Sequence, residues 1–131
     1  MNRGAVFFYS KLKFHDGEEG KKFLIVLNNP NGNQNYLCGK TTSKPKKNLN
    51  NPGCYSNENI FVVDPIPGCF SVKTWIQFHE YYEFKSSYFL KLHLQEKTLT
   101  KKADLPPKII DSIIKCIKRS PDISIARLSM L

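Results

Sequence analysis

The chain has 131 residues, enough for one compact domain and too few for two full cores. Its 40% hydrophobic and 12% aromatic content can bury a core, which excludes a disordered chain. Lys and Arg number 20 against 11 Asp and Glu, a formal +9 that suits a polyanionic partner without naming one.

No apolar run approaches the roughly 18 residues needed to span a bilayer. The N-terminus lacks a small-residue cleavage site, so no secretory signal is expected and the protein is expected to be soluble and cytosolic. Seventeen of the basic residues are Lys and Asn occurs eleven times, a bias that A/T-rich coding produces unaided. The distribution of charge therefore says more than its total. Lys40, Lys44, Lys46 and Lys47 cluster with no acid between them, and residues 85–119 carry nine cations against three acids. Cys38, Cys54, Cys69 and Cys116 form no C-x-x-C and have no His at zinc-finger spacing, so four reduced, mostly buried thiols are expected.

In chain order, residues 4–9 (Gly-Ala-Val-Phe-Phe-Tyr) predict a strand and the polar stretch 10–20 a loop. Residues 23–27 predict a buried strand, stopped by the Asn/Pro/Gly-rich 28–33, and residues 36–42 a third strand. The Lys/Asn/Pro-rich segment that follows, about 43–58, predicts a long exposed loop, with residues 60–64 a fourth strand at its far end. After a turn at 65–68, Phe70, Val72, Thr74, Ile76 and Phe78 share one face of a strand whose character persists to Phe84. Residues 86–94 fit a short helix and 98–105 a further strand. Ile109, Ile110, Ile113, Ile114 and Ile117 make one apolar stripe of a helix over about 106–119, with Pro106 and Pro107 in its first turn, Asp104 as cap and Asp111–Lys115 as an i,i+4 pair. A tail, 121–131, follows Pro121. Five or six short strands and one docked helix predict an α+β fold, mainly β, in the form of a small bent barrel.

A basic domain without a metal can still cut RNA, because RNA carries its own nucleophile in the 2′-OH. The protein must then supply a cation for the scissile phosphate, hydroxyl or amide donors for charge developing on oxygen, and one proton-transfer group. Lys21 and Lys22, entering the second strand, and Thr41, Thr42 and Ser43, leaving the third, are the candidates at strand ends. No phosphate-binding Gly-rich loop and no G-x-S-x-G is present.

The order of these segments resembles the MazF/PemK toxin family. Residues 4–9 are similar to its opening Gly-Asp-Ile-Val-x-Val strand, and 20–28 (Gly-Lys-Lys-Phe-Leu-Ile-Val-Leu-Asn) to its Gly-x-Arg-Pro-Ala-Leu-Val-Val-Ser-Asn segment. Residues 38–43 (Cys-Gly-Lys-Thr-Thr-Ser) resemble its strand ending in Pro-x-Thr-Ser or Pro-x-Thr-Thr, and 70–84 and the Ile-rich helix take the places of its later strand and C-terminal helix. The resemblance implies a single domain with a small SH3-like (PemK/CcdB-type) barrel of five to seven strands and a C-terminal α-helix. It further implies a homodimer, a small acidic antitoxin as partner, and metal-independent, cofactor-free cleavage of single-stranded RNA.

Carried over residue by residue, the family's catalytic Arg falls on Lys21, its following Pro on Lys22, and its catalytic Thr on Thr42, followed by Ser43. Lysine keeps the charge but not the bidentate fork of arginine. His15, in the loop that borders the family's RNA site, is the candidate proton carrier. Gln77 lies near the family's Asp-Gln pair, with His79 close to it in sequence. Trp75, Tyr81 and Tyr82 either stack on unpaired bases or serve the core or a dimer interface. Lys40, Lys44, Lys46 and Lys47 either guide RNA phosphates or receive an acidic antitoxin tail. Two other functions fit the same residues: a non-catalytic, CcdB-like toxin that binds a protein target, and an inactive nucleic-acid-binding SH3-like module.

Overall fold

The structure is a computed structural model that describes residues 2–13 and 19–131. Its elements are β1 (Ala5–Lys13), β2 (Glu19–Val26), β3 (Tyr36–Thr42), β4 (Gly53–Tyr55), β5 (Ile60–Val63), β6 (Thr74–Phe84), α1 (Ser86–Lys91), β7 (Leu99–Asp104), α2 (Pro107–Lys118) and α3 (Ile125–Leu128). A short 3-10 turn covers Ser56–Glu58, and a π-helical stretch, Leu92–Glu96, continues α1. The seven strands form one antiparallel sheet in the order β4-β5-β6-β3-β2-β1-β7. It is open, with β4 and β7 at its two edges, and mainly β with a few helices. Among the described residues, no helix is long and apolar enough to cross a membrane.

The runs in β1 and β2 are continuously apolar because both faces of the sheet are covered. Val6 sits opposite Ile25, and both pack in a cluster with Ile110, Ile113, Ile114 and Ile117 of α2. Phe7 sits opposite Leu24, and both pack on the other face with Phe89 of α1 and Leu92. A half-covered sheet would alternate polar and apolar residues; this one has no polar face to offer at its centre. The α2 stripe is as expected, each fully buried Ile contributing about 1.5–3 kcal/mol through removal from water.

Several expectations are corrected. Cys54 of β4 and Cys116 of α2 form a disulfide across a sequence separation of 62, leaving only Cys38 and Cys69 as free, buried thiols. Four reduced thiols were the expectation of a reducing compartment; the fold instead brings two distant cysteines to a Cα–Cα distance of 5.6 Å. The stretch 43–58 is not loop throughout, because β4 pairs with β5 (Gly53 with Val62, Tyr55 with Ile60) and the disulfide pins it to α2.

The strand expected from residue 70 begins at Thr74. Phe70 instead closes a turn by bridging back to Ile66, and Thr74–Phe78 are buried on both faces. Asp104 ends β7 and pairs with Lys101 at 3.0 Å rather than capping α2, whose N-cap is Pro106 with no side-chain hydrogen bond. Asp111 pairs with Arg3 at 2.9 Å, not with Lys115.

Candidate functional site

Thr41 of β3 extends the β2–β3 contact beyond the last backbone pair, Leu24 with Lys40. Its Oγ1 donates to the carbonyl oxygen of Phe23 at 2.9 Å. This bond holds the end of β3 beside the middle of β2, which begins at Glu19, so that Lys21 and Lys22 lie inside the strand rather than entering it. Lys21, Lys22, Thr42 and Ser43 consequently border one cavity of about 510 Å³. Phe8 of β1, Phe23 of β2, Thr41 of β3, Thr74 of β6, Lys102 of β7 and the turn at 66–72 complete its walls.

That turn follows from its sequence. Proline at 67 presets φ for the first central position, and Gly68 takes φ +81°, which an L side chain rarely adopts. The Cys69 N–H donates to the Ile66 carbonyl at 2.9 Å, and Ile66 N–H and Phe70 carbonyl close the bridge at the same distance.

The polar side of the cavity is positive. Lys21 is exposed and Lys22 half-buried. Burial holds the Lys22 ammonium below the usual lysine range, and the charges of Lys40, Lys46 and Lys44 push it the same way. Among the described residues, no carboxylate lies within ion-pair distance of Lys21 or Lys22. Lys40 is drawn to Glu80 at 3.4 Å and Lys47 to Glu58 at 2.7 Å, so Lys44 and Lys46 are the loop lysines that add field at Lys22 with no acid within ion-pair distance among the described residues.

Thr42 is buried, and its Oγ1 accepts from the Lys44 N–H at 3.2 Å, a bond that leaves the hydroxyl able to donate as well. Ser43 is exposed at the rim. Cys69 also lines the cavity, but burial first and the Asp104 carboxylate second push its thiol up, so it is a poor nucleophile. No Asp, Glu or His among the described residues lines the cavity. None of the described residues form a group of three or more metal-ligating side chains.

Other candidate residues lie apart. Trp75 is 3% exposed, packs with Ile60 and Val62, and donates from Nε1 to the Leu49 carbonyl at 2.6 Å, so its ring tethers the Lys/Asn-rich segment. Gln77 is buried in β6, in register with Lys40 on one side and Ile60 on the other. Tyr81 is buried beneath the Arg127 guanidinium, 5.0 Å from its ring, and burial pushes its hydroxyl up to about 12. Tyr82 directs its hydroxyl to Glu80 at 3.4 Å, and His79 Nε2 lies 3.5 Å from the same carboxylate group. His93 shares a hydrogen bond with the Leu99 carbonyl at 2.9 Å. His15 lies outside the described residues.

Nothing in the sequence signals that Phe8, Phe23, Lys102 or the turn expected at 65–68 would border the site. Phe8 and Phe23 are cross-strand partners with ring centroids 5.4 Å apart, which only the β1–β2 register reveals. Lys102 is the extra residue of a bulge: Val6 pairs with Ala103 and Phe7 with Lys101. Bulges re-aim side chains and leave no trace in composition. Compared with family models, with curated proteins and with solved structures, the chain matches none.

Proposed function

We propose that this cavity is the active site of a metal-independent endoribonuclease that cuts single-stranded RNA, a toxin of the MazF/PemK kind. The observation that carries the reading is the convergence of Lys21 and Lys22, from within β2, and of Thr42 and Ser43, from the end of β3, on one cavity. In this reading the sheet is an SH3-like barrel left open between β4 and β7. The chain works as a homodimer, and a small acidic antitoxin covers the lysines at 44–47.

Lys21 neutralises the scissile phosphate, while Thr42 and Ser43 donate hydrogen bonds to its oxygens as charge builds on them. The 2′-oxygen forms a bond to phosphorus as the bond from phosphorus to the 5′-oxygen breaks. The 2′-OH proton passes to a base and the leaving 5′-oxygen gains one, giving a cyclic phosphate and a free 5′-OH. His15 is the proton carrier that the segment order suggests.

The absence of any carboxylate or imidazole from the described lining favours one competing reading, a nucleic-acid-binding module without turnover. Incubating the purified chain with labelled single-stranded RNA in EDTA separates the two. The enzyme cuts, and Lys21→Ala and Thr42→Ala abolish cutting while the fold persists. Salt-sensitive binding with intact RNA at every divalent-ion level supports the module instead.

A further inference from the structure

The cavity is divided by chemistry. Lys21 and Lys22 stand on β2, and Phe8 and Phe23 form an aromatic pair across β1 and β2. Lys102 stands on β7, beyond β1. Across the strand order β2-β1-β7, cations thus flank an aromatic surface over two inter-strand steps, roughly 10 Å. Facing it is the turn at 66–72. Gly68 borders the cavity and has no side chain, so what it presents there is main chain. Its N–H makes no hydrogen bond among the described residues.

A phosphate alone needs neither an aromatic wall nor an apolar volume of this size. An unpaired nucleotide needs all three parts: cations for phosphates, a flat apolar face for the base and polar groups at the base edge. A base in a duplex is already stacked on both faces and would have to be flipped out to enter. We infer that the cavity holds one unpaired nucleotide of an RNA strand, its base on the Phe8–Phe23 pair, its edge toward the main chain of Gly68, and its flanking phosphates on Lys21/Lys22 and Lys102.

This inference rests on the endoribonuclease reading for its choice of RNA, and extends it to how the strand is held. Phe8 and Phe23 are only partly buried, whereas Phe70 of the turn is buried and meets Phe23 edge-on, with ring centroids 6.2 Å apart. Lys102 is exposed and makes no ion pair among the described residues, so its charge is available to a ligand.

The test uses a short 2′-O-methyl RNA strand, which cannot be cut by 2′-OH attack, and the same strand with its central bases removed. Fluorescence anisotropy reads the affinity of the full chain for each. The expected result is a loss on the order of tenfold or more for the abasic strand. Phe8→Leu, which keeps apolar volume, removes most of that difference, and Lys102→Gln weakens both strands alike.

Equal affinity for the two strands, or an undiminished difference in Phe8→Leu, overturns the inference. A thermal melt establishes that each variant folds, and the wild-type comparison of the two strands stands without any variant. The two proposals fail separately: base-dependent binding without RNA cleavage sinks the enzyme alone, and cleavage with base-independent binding sinks the subsite alone.

Discussion

Thr41 and Phe23 are joined by a 2.9 Å hydrogen bond from a side-chain hydroxyl to a main-chain carbonyl, and the cavity depends on it. The adjacent Thr42 instead accepts from the Lys44 N–H. Two neighbouring threonines, both lining the cavity, therefore bond in opposite senses, Thr41 as donor to the next strand and Thr42 as acceptor from the chain that follows it.

Thr41→Val is expected to cost about 1–3 kcal/mol, because it leaves the Phe23 carbonyl without that donor in a part-buried place. Thr42→Val is expected to cost about 1 kcal/mol or less and to abolish RNA cleavage. Urea denaturation combined with a cleavage assay checks the contrast.

Lys22 sets a pH dependence. Its folded-state pKa lies below the free value of 10.5, so the unfolded chain binds more protons between the two. Stability therefore rises with pH across that interval, as the cost of holding a charged, half-buried ammonium beside Lys40, Lys46 and Lys44 is relieved. Binding of a phosphate strand follows the opposite course, weakening as Lys22 loses its proton at a lower pH than an ordinary lysine. Lys22→Arg, which stays charged, is expected to flatten that part of the binding curve. Affinity measured at several pH values for both proteins decides it.

Affinity for single-stranded RNA is expected to fall with salt by about 0.7 in logarithmic slope for each phosphate neutralised. Lys44→Gln and Lys46→Gln should each shallow the slope, since both charges are felt at Lys22. Lys47→Gln, whose ammonium is 2.7 Å from Glu58, should change it less. Titrations over a range of salt concentrations measure all three.

The Cys54–Cys116 bond predicts two reactive thiols in the unfolded, unreduced chain and four after reduction. Closing a loop of this length constrains the unfolded chain by about 4 kcal/mol in the chain-entropy account. Cys116→Ser or a reductant should accordingly lower the melting temperature by about 10–15 °C. Thiol counting and thermal melts with and without reductant test both statements.

Much of the fold is legible in the chain because local signals coincide there with tertiary ones. The strand Tyr36–Thr42 lies between an Asn/Gly-rich turn and a lysine-rich segment, and α2 carries its isoleucines at helical spacing. β4 was not legible: three residues inside a polar stretch become a strand only through pairing with β5 and the bond to α2. The start of β6 was misread because the alternation from Phe70 crosses a turn whose backbone is decided by Gly68. At the site, Thr42 and Ser43 could be read because they sit where β3 ends, whereas Lys21 and Lys22, expected at the entry of the second strand, lie inside β2, which begins at Glu19. The Phe8–Phe23 pair and Lys102 could not, since one depends on strand register and the other on a bulge. Trp75 carries no signal distinguishing a stacking surface from a core residue; its burial over the Leu49 carbonyl does.

The most direct test compares two strands of identical sequence in EDTA, one of RNA and one with every 2′-OH replaced by hydrogen. Mass spectrometry reads the ends of any products. The account predicts that the RNA alone is cut, leaving a cyclic phosphate on one fragment and a 5′-OH on the other. Cutting of both strands, or RNA that stays intact with and without divalent ions, would contradict it.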